Sequence, residues 1–307
     1  MFTEAQNLAI TRTELDYVFF QEFEYDATQP EIATAQSADL FKPQHTTHSA
    51  EIFEVFMGVP MFQQTGETQN VPTATPKVAN KTFVQVLDWT LGVYLSKDMF
   101  DDNMHGVWAR IVEDMARKAR VTQDYNAFSI FRGAFTTTLT PDGDALISTH
   151  TLLNGSTYSN VVTGGGLTST TLYNLIIGLR QQPDQRGITL GNIPAVLLVP
   201  TALFKTALEL TDSALVADLA NNAINVYRST YGFMVKTSIW LDALNGGSDT
   251  ACFLLSKNHG ITRLIRQGVE TDLRDWRFSD NRSYFYQANF RESYYAADYI
   301  GVVGFSS

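Results

Sequence analysis

The sequence predicts an α+β fold in which one long helix separates a β-hairpin from an α/β region and a β-rich end. Three observations carry this: paired strand-like runs at residues 51–64 and 82–95, a helical stripe from Val107 towards Phe131, and further strand-like runs after Gly260. Hydrophobic residues make up 44% and aromatics 12% of the 307 residues, which excludes disordered, collagen-like and low-complexity chains. Charged residues are only 18%, below the roughly 25% of an ordinary soluble domain, as expected where partners cover much of the surface.

Residues 1–50 show no sustained helical or strand period and contain Pro30 and Pro43, so they read as an extended arm. Residues 1–70 hold 11 acidic and 2 basic residues, net −9, while the rest of the chain holds 21 and 20; nearly all of the −10 lies in this first quarter. An acidic run is usually a solvated tail, but Tyr17, Phe19, Phe20, Phe23, Tyr25 and Phe41 make this one too aromatic to stay unpacked.

The two runs at 51–64 and 82–95 flank Gly66, Asn70, Pro72 and Pro76, and together predict a projecting hairpin. An isolated two-stranded hairpin is marginal in water, so one this apolar is expected to lie on another surface. After Asp101 and Asp102, plausible helix starters, Val107, Trp108, Ile111, Val112, Met115, Ala116 and Ala119 share one face, opposite Arg110, Glu113, Asp114, Arg117 and Lys118. Ending at Gly133, that helix of about 28 residues would be about 42 Å long.

Residues 140–155 read as turn, short strand and loop. Gly164 to Gly166 form a hinge before a second helix, capped by Thr168 or Ser169 and packed through Leu172, Leu175, Ile176 and Leu179. Strands are expected at 195–199, 233–237 and 251–256, with a third helix from Pro200 to Leu210 and a short one at 213–220, so 167–259 forms a compact α/β unit. Strands at 261–265, 268–273, 284–291 and 294–303 complete the chain.

Composition excludes several functions. Cys252 is the lone cysteine, so neither an internal disulfide nor a thiolate zinc cluster can form, and a cytoplasmic origin fits best. The first ten residues lack the charge pattern of a signal peptide, and the longest nearly apolar stretch, 193–204, is short and contains Pro194 and Pro200, so no membrane partner is expected. Net charge −10 argues against a tight nucleic-acid-binding module.

The order of these elements resembles the major capsid proteins of tailed bacteriophages, the Hong Kong 97-type shell fold, and within it the group similar to the Mu-like prophage major head subunit. Residues 78–119, VANKTFVQVLDWTLGVYLSKDMFDDNMHGVWARIVEDMARKA, resemble that family's hairpin return strand and spine helix; 143–155, GDALISTHTLLNG, the element after the spine; and 167–210 its axial domain. The resemblance implies an N-terminal arm (1–50), an extended hairpin loop with return strand (51–95), a spine helix and first part of a peripheral β domain (96–166), an axial α/β domain (167–259) and the last peripheral part (260–307). It also implies a non-enzymatic virion subunit, assembled in the host cytoplasm into hexamers and pentamers of an icosahedral head around double-stranded DNA. Scaffolding, portal and decoration proteins are further implied partners. An encapsulin-like nanocompartment shell is the alternative within the same fold.

Assembly contacts are expected at Phe19, Phe20 and Phe23 of the arm, Phe56, Phe62, Pro72 and Lys77 of the hairpin, and Arg274 and Arg277 of the β-rich end. Lys77 and Lys81 lie where some members of the family place a cross-linking lysine, but ordinary solvated lysines are the preferred reading. The roughly 50 residues before the hairpin are too few for a long scaffolding segment, so scaffolding is expected from a separate protein or a segment already removed. Arg263, Arg266, Arg274, Arg277, Arg282 and Arg291 fall within 29 positions; pairing with acidic arms of neighbours is preferred over local pairs with Glu270, Asp272, Asp275 and Asp280, and over DNA.

No catalytic centre, metal or cofactor is expected. His45, His48, Glu51 and Glu54 lack the helical period that would put them on one face. His150 with Asp142, Asp144 and Ser148 lacks a nucleophile motif and reads as turn chemistry. The triple glycine lacks the Gly-Lys-Ser or Gly-Lys-Thr of a phosphate loop.

Overall fold

The computed structural model describes residues 4–28, 40–67, 69–75, 77–98, 106–213, 227, 232, 234–275, 277 and 282–306. Helix α2, Val107–Arg132, is the long helix of the sequence reading: 26 residues, about 39 Å, ending at Gly133. Its first half buries Val112, Met115 and Ala116, its second Ala127, Phe128, Ile130 and Phe131. Gly106 stands at the N-cap with a left-handed backbone, while Asp101 and Asp102 lie outside the described residues.

Two main sheets share the chain. The first has the order β1-β11-β12-β4, from β1 (Lys42–His45), β4 (Leu87–Ser96), β11 (Ile261–Arg274) and β12 (Ser283–Ala296). The second runs β7-β13-β10-β8-β9, from β7 (Val161–Thr163), β8 (Pro194–Val199), β9 (Met234–Thr237), β10 (Cys252–Ser256) and β13 (Val302–Ser306). It therefore draws β7 and β13 from outside residues 167–259. Two short connections, 257–260 and 297–301, cross between the sheets and bond to each other: Gly260 N donates to Ile300 O (3.2 Å), Ala297 N to Gly260 O (2.8 Å) and Ser256 N to Gly301 O (2.8 Å). Gly301 (φ +84°) permits this approach, because a Cβ there would meet Ser256 Oγ and His259 Cα at 2.6 Å.

Helix α3 (Ser169–Gln181) packs Leu172, Leu175, Ile176 and Leu179 on the second sheet. Thr168 is its N-cap, and the Thr171 side chain closes a capping box, satisfying two donors that a helix start leaves free. Pro200 precedes a 3₁₀ turn (Thr201–Leu203) and α4 (Phe204–Thr211). Two hairpins complete the set: β2 (Ala50–Phe56) with β3 (Val78–Gln85), and β5 (Thr149–Thr151) with β6 (Thr157–Ser159).

Four expectations are corrected. Residues 4–28 are not an extended arm but helix α1 (Glu4–Thr28). Only Leu15, Phe19 and Phe23 recur at fourfold spacing, a stripe too short to read, and docking on α2 and the first sheet supplies the rest. The run 82–95 is two strands, parted at Val86, whose N–H donates to Ser49 O (2.9 Å); β3 pairs with the hairpin and β4 with β12. Residues 261–265 and 268–273 merge into β11 across register shifts near Gln267, and of the strands expected at 284–291 and 294–303 the first continues unbroken to Ala296 as β12 while β13 begins only at Val302. The short helix expected at 213–220 lies outside the described residues but for Ser213.

Helix α1 is bound in its own chain through Phe19, which is fully buried between α2 and Tyr286. Replacing it, Phe19→Ala, should cost about 3–5 kcal/mol, read as a lower urea midpoint of the unassembled chain; an unchanged midpoint would show α1 to be detached in solution.

Candidate assembly surfaces

The hairpin splits its apolar residues between two faces, as strand alternation requires. Phe53 turns inward and stacks on Tyr295 at 4.3 Å, while Val84 and Val86 pack with Leu264. Ile52, Phe56 and Phe83 face outward, and Ile52 sits directly opposite Phe83 across the strands. Beyond Phe56 the chain reaches out without regular structure, presenting Val59, Met61, Phe62 and Val71 to solvent. Phe62 is wholly exposed, as are Pro72 and Lys77 in large part. Among the described residues its tethers lie at the base: Met57 N donates to Lys77 O (2.9 Å), and Arg186 Nε to Gly58 O (3.1 Å). Lys81 pairs with Glu54 across the strands at 2.5 Å. Scattered surface apolar residues are normal; a projecting run of this size marks a contact surface.

The arm aromatics lie elsewhere. Phe19, Phe20 and Phe23 cluster on one another, Phe19 stacking on Phe23 at 6.0 Å and meeting Tyr286 edge-on at 6.4 Å. Asp16 accepts from Thr271 Oγ1 (2.6 Å) and Tyr286 OH (3.0 Å), Glu22 pairs with Arg117 at 2.5 Å, and Arg120 donates to Phe23 O. Within the chain, Glu22 of the acidic arm thus meets a basic residue of α2, Arg117.

The arginines of the β-rich end are largely committed within the chain. Arg263 pairs with Glu292 at 2.5 Å, with side chains only 17% and 2% exposed. Burial pushes the Glu292 carboxyl above its usual range, and Arg263 brings it only part of the way back. Arg291 pairs with Asp88 on β4. Arg277 pairs with Asp275 at 3.8 Å, and Arg274 lies over the Phe285 ring at 5.8 Å. Of the expected local acids, Asp272 instead meets Arg12 of α1 (3.8 Å), and Asp280 lies outside the described residues.

His150 is buried, donates from Nδ1 to Asp142 Oδ2 (2.7 Å) and stacks on Tyr299 at 3.9 Å. Oxygens of Asp142 and Asp144 lie within 4.8 Å of a His150 nitrogen. The Asp142 carboxylate is occupied in closing the 140–144 turn, accepting from Thr140 Oγ1 and Asp144 N. Burial opposes its ionisation, but the bonds from His150 and Thr140 outweigh burial and hold it below the usual range. Together these bonds brace the 140–144 turn. His45, His48, Glu51 and Glu54 form no ligand cluster among the described residues, and Thr46 rather than a histidine bonds Glu51.

The sequence reading missed Ile193, Met234 and Leu244, exposed apolar residues on the loops and edge of the second sheet, because each lies in a run with apolar residues that pack inward, among them Leu197, Val235 and Leu241. No described helix is long and apolar enough to cross a membrane.

Residues 79–303, from the hairpin's return strand to the last sheet strand, match the family model described as phage capsid protein. The chain belongs to the phage capsid protein family. No curated protein matches it. The capsid protein is similar in fold to the capsid of cyanophage P-SCSP1u, with 11% identity, TM-score 0.59 and 90% of this chain covered against 89% of that one. It is also similar to the virus-like particle from Pyrococcus furiosus (6% identity, TM-score 0.56, 96% and 98% covered). A third likeness is to the SrpI encapsulin of Synechococcus elongatus PCC 7942 (13%, TM-score 0.54, 88% and 85%). At these identities the likeness is one of fold.

Two predictions follow from the buried charges. Glu292→Gln in the capsid protein should cost about 3 kcal/mol, because it strands Arg263 in a dry site, while Asp88→Asn at the exposed pair should leave the midpoint nearly unmoved. At the crossing between the sheets, burial, with Lys42 adding to it, pushes His259 down to about 4, and burial pushes Asp298 up to about 6. His259 therefore withdraws stability as pH falls from 6.5 towards 4, and Asp298 withdraws it as pH rises from 3.8 through 6. Asp298→Asn should accordingly raise the thermal midpoint more at pH 7.5 than at pH 4.5, and His259→Gln should remove the acid-side decline; equal gains at both pH values would contradict the first.

Proposed function

We propose that this capsid protein is the major head subunit of a tailed phage, self-assembling as hexamers and pentamers into an icosahedral shell around double-stranded DNA. The observation that carries the reading is the match of residues 79–303 to the phage capsid family, spanning the hairpin's return strand, the long helix and all strands of the two main sheets but β1. The projecting apolar hairpin supports it, since a surface holding Phe56, Met61 and Phe62 in water has the character of an unfilled interface. Ring interfaces are heterologous, so one chain must present different, complementary surfaces. The hairpin and the exposed loops of the second sheet, around Leu244, are two such surfaces at separate places on the chain.

The division into arm, hairpin loop, spine with first peripheral part, axial domain and last peripheral part belongs to the same proposal. So do the roles of Phe56, Phe62, Pro72, Lys77, Arg274 and Arg277 as assembly contacts, the scaffolding, portal and decoration partners, assembly in the host cytoplasm and the absence of catalysis. Phe19, Phe20 and Phe23 would act through the fold of α1, by presenting its outer face. An encapsulin-like shell around a protein cargo is the competing use of this architecture.

Electron microscopy of the purified chain tests the reading. Large regular shells or rings are expected, and a monodisperse monomer at every salt concentration would overturn it; DNA-filled heads separate the phage from the compartment. Phe62→Ser should leave the urea midpoint of the unassembled chain within about 0.5 kcal/mol and reduce the yield of shells. Normal shell yield from Phe62→Ser would remove the hairpin tip from the interface.

A further inference from the structure

Strand β4 ends the first sheet, paired with β12 over ten residues from Leu87 to Ser96 without a register break, and no described strand pairs with its other side. Sheet edges are usually blunted by proline, lysine or a bulge. This one, LDWTLGVYLS, has none of these, and its one charge, Asp88, is held by Arg291. Beside it lies a cavity of about 230 Å³ between the sheet and α2. The cavity exists because small residues face each other there: Ala119 and Thr122 on α2, and Ala288 on β12, leave room above Trp89 and Phe290. One turn earlier, Met115 closes the same gap.

The lining is apolar but not complete. Trp89 Nε1 is buried with no hydrogen-bond partner among the described residues, which costs free energy. Lys118 stands at the cavity with no ion-pair partner among the described residues. An occupant must therefore bring an extended backbone for the edge, an apolar side chain for the cavity and an anion for Lys118.

We propose that β4 is a strand-accepting site for an acidic, extended segment of a separate protein, which adds to the sheet edge and inserts an apolar side chain beside Trp89. A second copy's hairpin tip fits less well. Its exposed Phe62 has Pro60, without an N–H, two residues before it, and its nearest acid, Glu67, would lie about 16 Å along a strand, out of reach of Lys118. Charge and backbone chemistry both disfavour that tip as the occupant.

The test uses the full unassembled chain and a labelled nine-residue peptide of alternating threonine and valine with a central leucine flanked by glutamates, followed by fluorescence anisotropy. Binding is expected to weaken at least tenfold when alternate amides of the peptide are N-methylated, when its glutamates become lysines, and in the Lys118→Glu and Ala119→Met variants. Lys118 is exposed, so its substitution leaves the fold intact even if the cavity-filling variant is less stable. Equal binding of the N-methylated or lysine peptide, or no binding of the glutamate peptide, would overturn the site. Binding that disappears when the chains self-associate would assign the edge to a second copy and overturn the separate partner.

Discussion

One helix carries the apolar stripes of two cores. The first half of α2 seals the first sheet together with α1, through Val112, Met115 and Ala116 against Leu95, Tyr286 and Ala288. Its second half anchors the crossing between the sheets, through Phe128 and Phe131 against Phe41, Phe253 and Tyr299. A helix buried along one stripe over about 39 Å cannot bend without opening one core or the other, so it sets the spacing of everything packed on it. The hairpin, which contributes only a small cluster around Phe53 and Tyr295, is free to project from that frame.

Polar bonds add to this apolar packing in holding the crossing between the sheets. Asn160 donates to Leu146 O and Val302 O, Gln182 donates to Tyr299 O and accepts from Gly301 N, and the two connections bond each other directly. Buried amides of this sort fix one geometry because any other leaves donors unmet. His150 sits in the same region with Asp142 and Asp298; hydrogen bonds hold the Asp142 carboxyl below its usual range, and burial pushes that of Asp298 above it. The His150–Asp142 pair, which the sequence reads as turn chemistry, also packs on Tyr299 of this junction.

The long helix, the capped α3 and the hairpin were legible in the sequence because each carries a local signal: a repeated stripe, Thr168 before an apolar run, alternation broken by prolines. Helix α1 was not, since its stripe spans only Leu15 to Phe23 and its stability comes from docking. The candidate contacts divide the same way. Phe56 and Phe62 were legible as apolar residues in a projecting element, whereas Phe19 is equally aromatic in sequence and fully buried in space. An aromatic side chain records the need for a partner without recording which partner.

The charge pattern shows where that limit lies. By itself the sequence determined that an acidic, aromatic segment of net −9 precedes a nearly neutral body, and that its composition demands packing. Only the tertiary structure decided that Glu22 meets Arg117, and Asp16 meets Thr271 and Tyr286, within one chain. Likewise it paired Arg263 with Glu292 and Arg291 with Asp88, partners 29 and 203 positions away. Opposite charges find each other by distance in space, and the sheet register that sets this distance comes from backbone pairing and core burial, which no local spacing of charges encodes.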